Sequence, residues 1–177
     1  RNDGKTNLIT AFHGKQASIP LQVETSANNR PISFRLDIMP IFMRAGCNTG
    51  SCHGSARGQD GFMLSLFGYD PAGDYHRITR ELTSRRINLA IPEESLMIEK
   101  AIGSVPHTGG TLFDKKSEYY HTLRNWLSNG APDDGKEIAS PVALNIYPEQ
   151  VVLEGRGSKQ QFIAVASYSD GTTRDVT

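Results

Sequence analysis

The chain has 177 residues, a length that allows one or two domains, and its 19 basic side chains are balanced by 19 acidic ones. This neutral balance gives no electrostatic reason to expect nucleic acid or an anionic membrane as a partner. No apolar run approaches the ~18–20 residues of a membrane span. No signal peptide is visible and the chain starts with Arg1 rather than Met, so we expect a mature fragment or a piece of a longer protein.

Residues 1–30 predict β-structure. The runs 6–12 and 18–24 have the composition of strands, and the polar stretch 13–16 between them has that of a turn. A two-stranded ribbon is marginal on its own, so these strands are expected to need a partner sheet. Residues 25–31 are predicted to be a linker.

From residue 31 to about residue 132 the pattern changes to short helices and glycine-rich loops. Asp37 is predicted to cap the first helix, whose first turn tolerates Pro40. Gly46 is predicted to end this helix, because glycine adopts the left-handed conformation found after helix C-termini.

Further along, helices are predicted at 75–83 and 95–101, after a loop-rich stretch at 54–73. The clearest helix is 117–129, because its apolar side chains recur on one face and the helix breakers Gly-Ala-Pro follow it.

A second polar linker, 133–141, is followed by β-structure over 142–177. Strands are predicted at 144–147, 151–153 and 161–168, and an Asp-Gly hairpin turn comes next. The predicted fold class is therefore α+β and multidomain, with segments 1–30, 31–135 and 142–177.

The chemistry is expected at Cys47-Asn48-Thr49-Gly50-Ser51-Cys52-His53-Gly54, which contains both cysteines of the chain. A histidine directly after the second cysteine of a short loop is how haem is attached in c-type cytochromes: the cysteines form thioethers, and the histidine becomes the proximal iron ligand. The usual spacing is C-x-x-C-H, and C-x4-C-H is a rarer variant. Gly50 is expected to let the longer loop bulge by adopting a positive φ.

Three other interpretations of the two cysteines stay open at this point. They could form a small disulfide loop. They could bind zinc with His53 and a distant histidine, although adjacent Cys52 and His53 would then have to share one tetrahedral ion. They could also be free thiols without a function.

The middle of the chain resembles the cytochrome c-like domains of large secreted planctomycete-type proteins. The resemblance covers about a hundred residues and is carried by Ala45-Gly46-Cys47, Cys52-His53-Gly54, Gly61-Phe62-x-Leu64-Ser65-Leu66, Pro92-x-x-Ser95-Leu96, Val105-Pro106-His107-x-Gly109-Gly110 and Leu123-x-x-Trp126-Leu127-x-x-Gly130-Ala131-Pro132. It implies one covalent haem c, a small all-α core and an iron-dependent role in electron transport.

The sixth iron ligand is expected to be His107. Domains of this kind often have Met-Pro-Pro where this chain has Val105-Pro106-His107, so the usual methionine is missing there. By the resemblance, His107 corresponds to the distal loop. Met97 and Met63 are rival ligands, but methionine on an apolar face more often fills gaps in a core.

Other residues are expected to contact the haem. Arg85 or Arg86 could pair with the propionates, because guanidinium matches carboxylate in a bidentate geometry. The side chains expected to line or close the haem crevice are Phe62, Leu64, Leu66, Phe67, Leu96 and Trp126. Three histidines, His13, His76 and His121, are expected away from the iron, the last two of them exposed.

The two ends resemble a second family, the bacterial immunoglobulin-like domains of group 2. Residues 5–24 look like the last two strands of one copy, and Tyr168-Ser169-Asp170-Gly171-Thr172 with Asp175-Val176-Thr177 looks like the early strands of another. Neither end is a complete sandwich, which needs about seven strands. The terminal segments are therefore expected to pair with each other or with a neighbouring chain, unless both are truncated pieces.

The predicted function is electron transfer by an exported, periplasmic or extracellular, haem protein that is not an enzyme. No hydrolase or nucleotide-binding motif competes with this interpretation. The redox partner is unknown. Two alternatives stay open, a cofactor-free adhesion module with a Cys47–Cys52 disulfide and a haem enzyme with an open distal site.

Overall fold

The computed structural model describes residues 2–27, 30–82 and 84–177. It is a mixed helix and sheet fold, as predicted for an α+β protein. Residues up to Pro132 form one compact unit and Asp133–Thr177 form another. Within the described residues, no helix is both long and apolar enough to cross a membrane.

The chain begins with a β-hairpin of strands β1 (Gly4–Phe12) and β2 (Lys15–Val23), which pair antiparallel. His13 and Gly14 make the turn with φ of 46° and 75°, the left-handed values that a two-residue hairpin needs. All residues of both strands are exposed. The hairpin was predicted, but the linker predicted at 25–31 falls partly on residues 28 and 29, outside the described residues.

Helical structure starts with one wide π-turn over Phe34–Ile38 and continues as α1 (Met39–Arg44). Ser33 caps this start, because its hydroxyl accepts a hydrogen bond from the amide of Leu36. The prediction that Asp37 is the cap was wrong. Its carboxylate lies one turn later and accepts from the amide of Ser33 at 2.8 Å.

Three further helices follow: α2 (Pro71–Thr79), α3 (Leu96–Ala101) and α4 (Glu118–Ser128). Helix α2 starts four residues earlier than predicted, because Asp70 caps it and Pro71 suits the first helical position. It ends at Thr79, and the last predicted residue, 83, lies outside the described residues. Helices α3 and α4 agree closely with the predicted ranges.

The core of the first unit is built around α4, whose Trp126 and Leu127 are fully buried. Trp126 packs against Phe34 and Tyr75, with ring centres 5.5 and 6.5 Å apart, and its indole N–H donates to the carbonyl of Pro132 at 2.9 Å. The predicted apolar face of α4 is therefore confirmed.

The second unit contains one antiparallel sheet in the order β3 (Pro141–Tyr147), β4 (Ile163–Tyr168) and β5 (Thr173–Asp175). Asp170 and Gly171 lie in the turn between β4 and β5, as predicted. The strand predicted at 151–153 is wrong, because the described backbone there pairs with no other strand and Val152 is 87% exposed.

A candidate haem-binding cavity

The cysteine loop begins where α1 ends. Gly46 adopts a φ of +75°, the amide of Cys47 donates to the carbonyl of Phe42 at 2.8 Å, and that of Gly46 donates to Met43 at 3.1 Å. This pair of bonds is a Schellman motif, so the predicted helix end at Gly46 is confirmed. It also turns the chain so that Cys47 leaves the helix at a defined angle.

The loop closes on itself through its backbone. The amide of His53 donates to the carbonyl of Cys47 at 3.0 Å, and the amides of Cys52 and Gly54 both donate to Thr49. A Cβ on Gly54 would lie 2.1 Å from the carbonyl oxygen of Asn48, so only glycine fits there. Gly50 does not adopt the positive φ predicted for it; the left-handed residue is Gly46, where the helix stops.

His53 is held by a neighbouring turn. Its Nδ1–H donates to the carbonyl of Phe62 at 2.8 Å, and its backbone carbonyl accepts from the amide of Leu64, also at 2.8 Å. Burial lowers the pKa of His53, and the nearby His107 lowers it further, although the bond to Phe62 acts in the opposite direction. The imidazole is therefore favoured in its neutral form with Nε2 free, as a metal ligand requires.

His107 is held in the same way on a separate loop. Its Nδ1–H donates to the carbonyl of Gly110 at 2.9 Å. The amide of Gly110 donates back to the carbonyl of His107 at 2.9 Å, which closes a tight turn. Gly109 packs against the ring, because a Cβ there would lie 2.9 Å from Cε1 and 3.2 Å from Nε2.

The imidazole rings of His53 and His107 lie close together and nearly parallel. Their ring centres are 6.4 Å apart and their planes differ by 8°. A metal–imidazole bond is about 2.0–2.1 Å long and a ring nitrogen lies about 1.15 Å from the ring centre, so two imidazoles on opposite sides of one metal have centres about 6.3–6.5 Å apart. The observed distance between the two ring centres falls within this range.

A cavity of about 350 Å³ lies beside these rings. This volume is within the range of cofactor pockets, about 300–1,000 Å³. Both cysteines and both histidines line it, and much of the remaining wall is apolar: Phe42, Ala45, Phe62, Leu64, Leu96, Met97, Ala101 and Leu112. Arg85, Arg86, Gln59, Asp60 and Lys100 supply the polar part of the wall.

Cys47 and Cys52 are free thiols, and both are half-buried. Burial raises the pKa of Cys47 to about 11, with a smaller contribution from Cys52, so this thiol is protonated near neutral pH.

The described residues contain no group of three or more His, Cys, Asp or Glu side chains that could hold a bare metal ion. The cysteines and histidines are instead spread around one cavity.

Arg86 lies in the cavity wall but is only 6% exposed. Its guanidinium donates to the carbonyls of Gly61 at 2.9 Å and Glu81 at 2.8 Å, pairs with the Glu81 carboxylate, and stacks over the ring of Phe62. It therefore braces the turn that holds His53. Its expected contact with a propionate stays a prediction.

The wall that contains Phe62 and Leu64 is anchored to α2 by a buried carboxylate. Asp74 has no solvent exposure, and it accepts hydrogen bonds from the amide and the hydroxyl of Ser65. Arg77 pairs with it at 3.0 Å. This network fixes the backbone directly after Leu64.

Three residues expected in the crevice lie outside the cavity wall. Trp126 is enclosed in the core of α4, and Leu66 is 41% exposed in a short turn outside the cavity wall. Phe67, also expected there, is 62% exposed with a left-handed φ of 53°. His76 and His121 are exposed, as predicted.

Sequence reasoning missed Lys100 and Gly109. Lys100 follows Leu96 by four residues on α3, so helical periodicity places both on one side of that helix and could have found it. The ring contact of Gly109 has no such signal, because it depends on the tertiary course of the loop.

No protein-family model, no curated protein and no solved structure matches this chain significantly.

Proposed function

We propose that this chain binds one haem c covalently and transfers electrons, with His53 and His107 as the two axial iron ligands. The observation that carries the proposal is that both imidazoles line the cavity that also contains both cysteines, with ring centres 6.4 Å apart and ring planes that differ by 8°. Each ring also donates its Nδ1–H to a backbone carbonyl, which leaves Nε2 as the ligand atom.

The residues around the cavity fit this group. Cys47 and Cys52 would form thioethers with its two vinyl groups, and the apolar wall would cover its faces. Bound haem supplies a one-electron couple between ferric and ferrous iron. The protein orients both imidazoles through their Nδ1–H bonds, and His53 and His107 would together hold the iron when haem is bound.

This function is the transfer of electrons rather than catalysis on a substrate. With both axial positions taken, an external ligand could bind only after His107 dissociates. Two imidazoles would also give a lower reduction potential than a histidine and methionine pair, because a thioether favours the reduced iron.

Thioether attachment of haem takes place outside the bacterial cytoplasm, so the proposal includes export to the periplasm or beyond. The immunoglobulin-like character proposed for the two β segments agrees with such a location. Recovery of the native protein from the cytoplasmic fraction alone would contradict this part.

The proposal is tested on native protein by visible spectroscopy and by mass spectrometry after denaturation. We expect Soret and α bands and a mass increase of one haem that survives denaturation. Protein with no haem bands and oxidised cysteines would instead support the cofactor-free adhesion module.

Ligation is tested by His107→Ala, with Met97→Ala as the matched control because Met97 lines the same cavity. His107→Ala should give a high-spin or water-ligated spectrum, whereas Met97→Ala should lower stability by up to about 2 kcal/mol and leave ligation intact. A far-red methionine–iron band in the parent protein, or a spectrum unaffected by loss of His107, would refute bis-histidine ligation.

A further inference from the structure

The loop that carries His107 is closed at its base. The amide of Leu112 donates to the carbonyl of Ala101 at 2.8 Å. Gly103 passes so close to Thr111 that a Cβ there would lie 2.3 Å from the threonine hydroxyl oxygen. These contacts fix where the loop starts and ends, but His107 lies near its tip.

The tip has little packing to hold it. A second, shallow pocket of about 330 Å³ is lined by residues of this loop alone, so no other element packs against the loop there. Pro106 and residues 108–110 are exposed. Because missing neighbours mean missing dispersion contacts, the position of the tip must depend on hydrogen bonds.

One such bond comes from α3. The ammonium of Lys100 donates to the carbonyl of Pro106, the residue before His107, at 3.0 Å. Across residues 2–27, 30–82 and 84–177, it is the only hydrogen bond that reaches residues 105–110 from outside the loop. The half-buried stem of Lys100 meanwhile forms part of the cavity wall.

We infer that Lys100 is a positioning residue for the sixth iron ligand: its bond to Pro106 holds the loop so that His107 stays opposite His53. This inference rests on the proposed function. A metal–ligand distance tolerates only about 0.2 Å of displacement. Without the bond from Lys100 to Pro106 the loop tip would move more, and His107 would dissociate from the iron more often.

The consequence is control over access to the iron. In a bis-histidine protein an external ligand binds only during the fraction of time in which His107 is off the iron. The rate of external ligand binding therefore reports this fraction. Substitution of a residue with a merely structural role would change the stability of the protein but not this rate.

The test compares ferrous holoprotein of the parent, Lys100→Met and Lys100→Arg in stopped-flow mixing with carbon monoxide. Methionine keeps the apolar stem and removes the donor, while arginine keeps both charge and donors. Lys116→Met is the matched control, since Lys116 is an exposed lysine outside the cavity wall.

A hydrogen bond from a charged donor is worth enough to change such an equilibrium by about 3- to 10-fold at a partly exposed position. We expect Lys100→Met to bind carbon monoxide faster by this factor. The rate of carbon monoxide binding to Lys100→Arg should lie between the rates of Lys100→Met and the parent. The rate for Lys116→Met should equal that of the parent.

Lys100→Met at the parent rate would overturn the inference while leaving the proposed function intact, and so would an equal acceleration in Lys116→Met, which would show a general charge effect. A parent protein without covalent haem, seen in its spectrum before any mixing, would overturn the proposed function and this inference with it.

Discussion

Gly109→Ala is a direct probe of the His107 geometry, because it adds one methyl group against the ring. The new Cβ would lie 2.9 Å from Cε1 of His107. Carbon atoms pack at about 3.5–4.0 Å, so the ring must move by about 0.6 Å or more. This displacement exceeds the tolerance of about 0.2 Å for a metal–ligand bond.

The expected size of the effect follows from overpacking. Inserting a methyl into a filled space costs about 1–3 kcal/mol, which corresponds to a shift of about 5- to 150-fold in the equilibrium between bound and dissociated His107. The ferric protein should therefore bind imidazole or cyanide more readily, and part of it should become high-spin. Titration with imidazole, followed in the Soret region, measures the shift.

Gly130→Ala is the control for backbone strain. Gly130 has a φ of +83° and nothing within 4 Å of its Cβ position, and it follows α4, outside the loop that holds His107. Alanine there should cost about 1–2 kcal/mol of stability with little change in ligand binding. If Gly109→Ala binds external ligands no better than Gly130→Ala does, the contact with the ring does not control ligation.

Three other perturbations test the rest of the account. Arg86→Met should lower the free energy of unfolding by about 1–3 kcal/mol, because it removes the hydrogen bonds from the guanidinium to the carbonyls of Gly61 and Glu81. Arg85→Met, at the other arginine of the cavity wall, is the comparison, and a fall in reduction potential confined to Arg86→Met would identify Arg86 as a propionate partner. Trp126→Ala should lower the free energy of unfolding, measured by chemical denaturation, by about 3–5 kcal/mol without changing the haem spectrum. A changed spectrum would show that Trp126 contacts the haem. The hairpin exposes apolar strands, so we expect the protein to self-associate and the deletion of residues 1–30 to give a smaller species in light scattering. A protein that is monomeric before and after the deletion, with unchanged thermal stability, would contradict self-association through the terminal β segments.

Local signals in the sequence predicted the parts of the fold that depend on neighbouring residues. The end of α1 at Gly46 and the buried face of α4 were predicted because helix caps and helical periodicity act over a few residues. The cap at Ser33 was missed although its bond to the amide of Leu36, three residues further on, is the usual capping pattern and could have been found from the sequence.

The candidate site was only partly predictable because it combines a local motif with contacts between distant segments. Cys47, Cys52 and His53 lie close together in sequence, so their motif could be recognised. The close, nearly parallel placement of His53 and His107 depends on loops that only the tertiary structure brings together. Trp126 was wrongly expected in the cavity wall because helical periodicity identifies a buried face but not what packs against it, whether a cofactor or the core.

The binding of one iron by both His53 and His107 is tested most directly by the electron paramagnetic resonance spectrum of the ferric native protein. Two nearly parallel imidazoles donate π-electron density to the same iron d orbital and so separate two orbitals that would otherwise be close in energy. The angle of 8° between the rings of His53 and His107 therefore predicts a rhombic low-spin signal. A high-spin signal, a strongly axial low-spin signal or no haem signal at all would contradict the proposed pairing of these two histidines on one iron.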